Sequence, residues 1–138
     1  MVTHKIACIG AGYWGKNLVR NFTDLGVLAW VCESDPSTRA HLAAAYPTVR
    51  FTDAVDQILA DPEVTGVAIA TPAETHNELA RRALLAGKDV LVEKPLSLSI
   101  EEGRQLVALA CERQHVLMVG HLLWYHPAVL KLRELVEV

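Results

Sequence analysis

The chain has 138 residues, 51% of them hydrophobic, with a formal net charge of −3 and a mean hydropathy of +0.23. That length suits one compact domain, and the weakly acidic balance excludes the basic footprint of a nucleic-acid binder. No apolar run approaches the roughly 18 residues of a membrane span, and the opening MVTHKIACIG carries neither the long apolar region nor the cleavage site of a secretory leader.

Residues 5–10 (KIACIG) predict a first strand. Residues 14–25 predict a helix closed by Gly26. Residues 28–33 (LAWVCE) predict strand 2. Asp35 as N-cap and Pro36 at the first helical position open a helix to about residue 46. Residues 49–51 predict a short strand and 53–60 a short helix. Residues 66–71 (GVAIAT) predict strand 4. Thr75 with Glu78 reads as a capping box for a helix ending at Gly87. Residues 89–94 predict strand 5. Ser99 with Glu102 reads as a second capping box, on a helix whose apolar stripe is Leu106, Val107 and Ala110. Residues 116–120 (VLMVG) predict strand 6.

Six strand–helix alternations with near-continuous apolar strands predict an α/β domain of Rossmann type. The sheet is then parallel, doubly wound and ordered 3-2-1-4-5-6, with helices on both faces. This domain is expected over residues 1–120. Residues 121–138 then form a turn at His126–Pro127 and a helix running to the last residue. That helix has no stop signal, which predicts that the chain continues into something longer. The odd and widely spaced set Cys8, Cys32 and Cys111 argues against a disulfide framework and fits a reducing, cytoplasmic setting. Cys8 and Cys32 are expected as core residues.

GAGYWG supplies Gly10, Gly12 and Gly15 as a G-x-G-x-x-G between a strand and a helix. In that context Gly10 permits a tight turn, Gly12 lets the backbone approach a pyrophosphate, and Gly15 allows close helix–strand packing. Glu33 ends strand 2, where a carboxylate accepts from an adenosine ribose and repels a 2′-phosphate, so NAD is favoured over NADP. Arg39 nearby reads as a solvated helix-face charge, the alternative being a phosphate partner. Ligands of such sheets bind outside the carboxyl ends of the strands. Those ends carry Thr71–Pro72, Glu93–Lys94–Pro95 and Gly120–His121.

GAGYWG, ATPAETH and EKP, in this order, resemble the N-terminal domain of the Gfo/Idh/MocA oxidoreductases, over essentially the whole chain. GYWGKNLVRNF and GHLLWYHPAV look closest to the branch that oxidises the 3-hydroxyl of UDP-N-acetylglucosaminuronic acid. The resemblance implies a cofactor domain of an NAD(P)-dependent sugar or sugar-nucleotide dehydrogenase. It implies that Gly10, Gly12 and Gly15 cradle the pyrophosphate and that Glu33 holds the adenosine ribose. Thr71, Pro72 and His76 would lie along the cofactor, and Glu93 near the nicotinamide ribose. Lys94 would reach the reacting hydroxyl as the catalytic residue; the bond between Lys94 and Pro95 is often cis in such enzymes, and the sequence leaves its isomer open. Most substrate contacts would come from a second, substrate-binding domain, so the chain alone would bind cofactor without turnover.

His121 is a candidate facing the cofactor, with a hydrogen-bonded turn histidine as the alternative. His76, at the start of a helix, reads from its position as exposed. Tyr13 and Trp14 fall inside the glycine turn, Trp14 either over the cofactor or, favoured, as packing under the loop. The spacing of His115, His121 and His126 does not build a metal site. Leu122, Leu123, Trp124 and Tyr125 form an apolar patch suited to a second domain or to homo-oligomerisation. A free-standing, non-catalytic module binding NAD(H) or CoA is the competing reading.

Overall fold

The apolar runs become the strands β1 (Ile6–Ile9), β2 (Leu28–Cys32), β3 (Arg50–Thr52), β4 (Gly66–Ile69), β5 (Asp89–Val92) and β6 (Leu117–Val119). The computed structural model describes residues 4–136. The first three residues of the N-terminal stretch, and the expected run of the last helix to residue 138, lie outside them. The strands form one sheet, all pairs parallel, in the order β3-β2-β1-β4-β5-β6. This is the order expected from right-handed crossovers.

The connecting helices are α1 (Gly15–Asp24), α2 (Pro36–Ala45), α3 (Val55–Ala60), α4 (His76–Leu85) and α5 (Ile100–Arg113), with α6 (Pro127–Val136) after β6. Alternate strand residues feed two cores, because successive side chains leave opposite faces of a sheet. Ile9, Ile69 and Val92 pack with Ala83 and Leu84 of α4 and Leu106 of α5. Cys8, Val31 and Ala68 pack with Val19 of α1 and Leu42 of α2. All four residues of β4 are buried, as befits a strand covered on both sides. Val107 is half exposed, so only Leu106 and Ala110 of the expected α5 stripe are buried.

Cys8 and Cys32 enter opposite cores and are free. Burial pushes the Cys8 thiol up to about 12. Burial, then the neighbouring Glu33 carboxylate, pushes Cys32 up to about 11. Both are inert thiols at neutral pH.

Local signals decide the helix ends. Asp35 caps α2, its Oδ1 accepting from Thr38 N at 2.6 Å. Ser99 caps α5 by accepting from Glu102 N, but the Glu102 carboxylate accepts from Ser97 Oγ, so only half of that capping box forms. The Thr75 box does not form. Residues Ala73–Thr75 make a 3₁₀ turn ahead of α4, and Thr75 is already in helical geometry with no cap bond. Its hydroxyl lies 2.8 Å from Pro72 O and 2.7 Å from Thr71 Oγ1, a local alternative that competes with capping.

The amino edge of the sheet is closed by internal bonds. Lys88, immediately before β5, is 5% exposed and donates to Asp61 O and Val64 O, both at 2.8 Å. Trp30 Nε1 donates to Asp61 Oδ2 at 2.8 Å, and Arg50 pairs with the same carboxylate at 2.8 Å while stacking on the Trp30 ring.

Candidate functional site

The glycine turn connects β1 to α1, and each glycine is there for a different reason. Gly10 has φ +87°, and a Cβ on it would meet Ala70 O at 2.8 Å. A Cβ on Gly15 would lie 2.1 Å from Gly10 O, so α1 could not start where it does. A Cβ on Gly12 would meet nothing within 4 Å. That open space beside the first turn of α1 leaves room for a pyrophosphate against bare backbone.

Glu33 follows β2 and is buried. Its Oε2 accepts from Ala11 N at 2.8 Å, and its Oε1 from Asp35 N at 2.9 Å. The carboxylate is thus tied to the glycine turn itself. Ser34 Oγ also donates to Oε1, at 3.4 Å, so with two acceptor positions per oxygen the capacity left for a ribose hydroxyl lies on Oε2. Arg39 departs from the expectation of a solvated charge. It is partly buried, donates to Glu33 O at 2.6 Å and pairs with Asp53 at 3.3 Å. Its guanidinium braces the β2 end through the backbone.

At the carboxyl ends of β4, β5 and β6 lies a cavity of about 700 Å³. Of the residues singled out in the sequence, it brings together Tyr13, Trp14, Thr71, His76, Glu93, Lys94 and His121. Gly10, Gly12, Gly15, Glu33 and Pro72 do not line it. Ala70, Ala73, Gly120, Leu122 and Leu123 complete the wall. The two leucines belong to the apolar patch, which gave no hint of a place in the cavity. They sit in a 3₁₀ turn, Leu122–Tyr125, that sequence periodicity did not reveal.

Two side chains differ from expectation. Trp14 was favoured as packing under the loop, yet it is 40% exposed and its Nε1 donates to Glu93 Oε1 at 2.6 Å. The polar tip of the indole found a carboxylate 79 residues away. His76 was expected to be exposed, yet only 1% of it is accessible. Its Nδ1 lies 2.7 Å from Pro95 O and its Nε2 2.9 Å from Thr71 O. Both partners are acceptors, and a neutral ring donates to one of them at a time. His76 therefore spans the chain segments leaving β4 and β5.

Lys94 stands beyond β5, exposed, next to a cis bond to Pro95. Among the described residues it makes no ion pair. The alternative in which it merely pairs with a neighbouring acid is therefore not the arrangement found. His121 is exposed on the cavity wall, its backbone N–H donating to Val119 O. His115 lies at the other end of β6, beside Asp89.

The arrangement has room for a dinucleotide: open space over Gly12, a carboxylate at the β2 end, and a cavity with Lys94 on its wall. Comparison with known proteins agrees. The family model for the Gfo/Idh/MocA oxidoreductases, described as an oxidoreductase family with an NAD-binding Rossmann fold, matches residues 4–121. The chain is 36% identical over 134 residues to the UDP-N-acetylglucosamine 3-dehydrogenase of Acidithiobacillus ferrooxidans, covering 97% of this chain and 42% of that protein. The solved structure of that enzyme superposes with a TM-score of 0.86 over 97% of this chain and 43% of its own. GenD2 from gentamicin A biosynthesis, solved with NAD, is 37% identical with a TM-score of 0.79, covering 87% of this chain and 35% of that one. Biliverdin reductase from Synechocystis, solved with biliverdin and NADP⁺, is 29% identical with a TM-score of 0.81, over 88% and 38% respectively. The chain thus spans about two-fifths of the length of these relatives. The glycine turn, the strand order and the family match lead to one conclusion: the chain belongs to the Gfo/Idh/MocA oxidoreductase family and is its NAD-binding Rossmann domain.

Proposed function

We propose that the chain is the cofactor half of a dehydrogenase that oxidises a ring hydroxyl of a sugar or sugar nucleotide, with NAD preferred to NADP. Residues 1–120 form the dinucleotide domain in this reading, and residues 121–138 lead toward a substrate domain. The names of the relatives support the substrate class, and their greater length supports the division. The observation that carries the reading is Lys94, exposed and without an ion pair among the described residues, in a cavity it shares with Tyr13 and Trp14 of the glycine turn.

Gly12 and the first turn of α1 would hold the pyrophosphate. Glu33, fixed by Ala11 N, would accept from the adenosine ribose and would disfavour a 2′-phosphate by like charge. Bound NAD⁺ supplies the hydride acceptor. Lys94 would hold the substrate hydroxyl and take up or relay its proton. Glu93 would accept from the nicotinamide ribose, with Thr71, Pro72, His76 and His121 alongside the cofactor and Tyr13 over the turn. Leu122 and Leu123 would shield the reacting end from water. The free cysteines are in keeping with a cytoplasmic setting, and the exposed Leu122–Tyr125 turn with contact to a second domain or a second copy.

Calorimetry with NAD⁺, NADP⁺ and CoA tests the cofactor. Binding should follow NAD⁺ over NADP⁺, and a preference for CoA would instead favour a non-catalytic module. The chain alone should form no NADH from UDP-N-acetylglucosamine or its uronic acid. Turnover by the 138-residue chain would overturn the division into two halves.

A further inference from the structure

Glu93 is seated from two sides by residues far apart in the chain. Trp14, the N-cap residue of α1, donates its indole N–H to Glu93 Oε1 at 2.6 Å. From the other side, Gly120 offers no side chain. A Cβ there would lie 3.0 Å from both Oε1 and Oε2 of Glu93, closer than real Cβ contacts commonly come. All three residues line the same cavity as Lys94. An indole donating to a carboxylate makes a charge-assisted bond, stronger and more directional than a neutral one. Gly120 has no left-handed backbone that would call for glycine; what it supplies is space for the carboxylate.

Resting on the cofactor reading above, we propose that Trp14 is a positioning residue. Its indole N–H, against the bare Cα of Gly120, fixes the Glu93 carboxylate and thereby couples the phosphate-binding turn to the nicotinamide end of the site. The glycine turn then does more than receive the pyrophosphate. Its fifth residue sets the place of an acceptor at the far end of β5, so the two halves of the dinucleotide meet a site already in register.

The proposal separates the two halves of the ligand. ADP reaches only the adenosine ribose and the phosphates, whereas NAD⁺ reaches Glu93 as well. Trp14→Phe keeps a ring and removes the donor. Gly120→Ala leaves Trp14 intact and pushes the carboxylate from the opposite side; the group that must yield is a flexible side chain, so the fold is spared. Each variant should weaken NAD⁺ about fivefold or more through lost preorganisation, with ADP affinity unchanged, both read by calorimetry. In a Glu93→Ala background, Trp14→Phe should have no further effect on NAD⁺, the non-additivity expected of residues acting through one contact. Equal losses for NAD⁺ and ADP would reduce Trp14 to packing of the turn and overturn the proposal. So would wild-type NAD⁺ affinity in both variants, or additive losses in the Glu93→Ala background. Failure of the wild-type chain to bind NAD⁺ overturns the cofactor reading and this one with it; wild-type binding without the split between ligands overturns this one alone.

Discussion

Two lysines flank β5, and they have opposite fates. Lys88 precedes the strand, is buried, and its ammonium is held by two backbone carbonyls. Lys94 follows the strand, is exposed, and pairs with no acid among the described residues. The same contrast runs along the whole sheet. At the amino edge, polar groups are consumed by one another: Asp61 by Trp30 and Arg50, Asp89 by Val116 N. At the carboxyl edge His76 and Arg39 are bonded internally, but others are aimed and not consumed. Glu33 keeps acceptor capacity, Glu93 is steadied by a single indole, and Lys94 waits. A parallel sheet points every strand the same way, so one edge can be sealed for stability while the other stays open for chemistry.

Substitutions can break or sharpen this contrast. The largest loss of stability should come at a tightly packed point of the open edge. Gly15→Ala would place a Cβ 2.1 Å from Gly10 O, a backbone clash that only movement of α1 relieves, and should cost about 3 kcal/mol or more in chemical denaturation. Lys88→Met keeps the volume but leaves Asp61 O and Val64 O without their ammonium donor. It should lower the urea midpoint by the equivalent of about 2 kcal/mol with no change in slope. A midpoint equal to wild type would show that the amino edge is not sealed by this residue.

Acid should act more gently, and on both edges. The Trp30 indole, then Glu63 N, and more weakly Arg50 hold the Asp61 carboxyl below its ordinary value of 3.8, against the opposing effect of burial. At the open edge, the Thr38 side chain and then its backbone N–H lower Asp35 in the same direction. A folded-state value below the unfolded one means stability that is present above about pH 4 and is lost as pH falls through the lower folded values. Urea midpoints at pH 6, 4 and 3 should therefore drop, and Asp61→Asn should flatten that drop. An unchanged profile in the variant would remove Asp61 from the account.

Lys94→Ala should have the smallest effect on stability, within about 0.5 kcal/mol, as for exposed positions generally. In the complete dehydrogenase proposed above it should nevertheless lower turnover by about a hundredfold or more, the scale of a lost proton-transfer group. A large stability change with turnover preserved would invert the roles of the two lysines.

The strands and their order were legible because short apolar runs between Gly, Pro and Asp punctuation leave few ways to fold, and handedness removes most of those. The glycine turn and the strand-end residues were legible for the same reason, since topology alone sends them to one edge. Side-chain bonds across the chain were not. Nothing near His76 announces that its ring spans Thr71 O and Pro95 O, and nothing near Trp14 announces Glu93. Such partners become neighbours only after β4, β5 and β1 are assembled. The Thr75 motif shows the converse failure. Its spacing was right for a cap, but Pro72 and Thr71 offered the hydroxyl a nearer bond. Lys88 is, in the sequence, a lone lysine after a glycine, and only its burial reveals its role.

The sheet ends on both sides in its shortest strands. β3 and β6 have three residues each, which leaves only about 10 Å of unpaired backbone at either margin. So little exposed ladder is a poor template for another chain, and short edges are one way in which proteins resist strand-to-strand aggregation. When copies of this molecule meet in concentrated solution, encounters through side chains, such as those of the Leu122–Tyr125 turn, are therefore favoured over growth of the sheet into fibres.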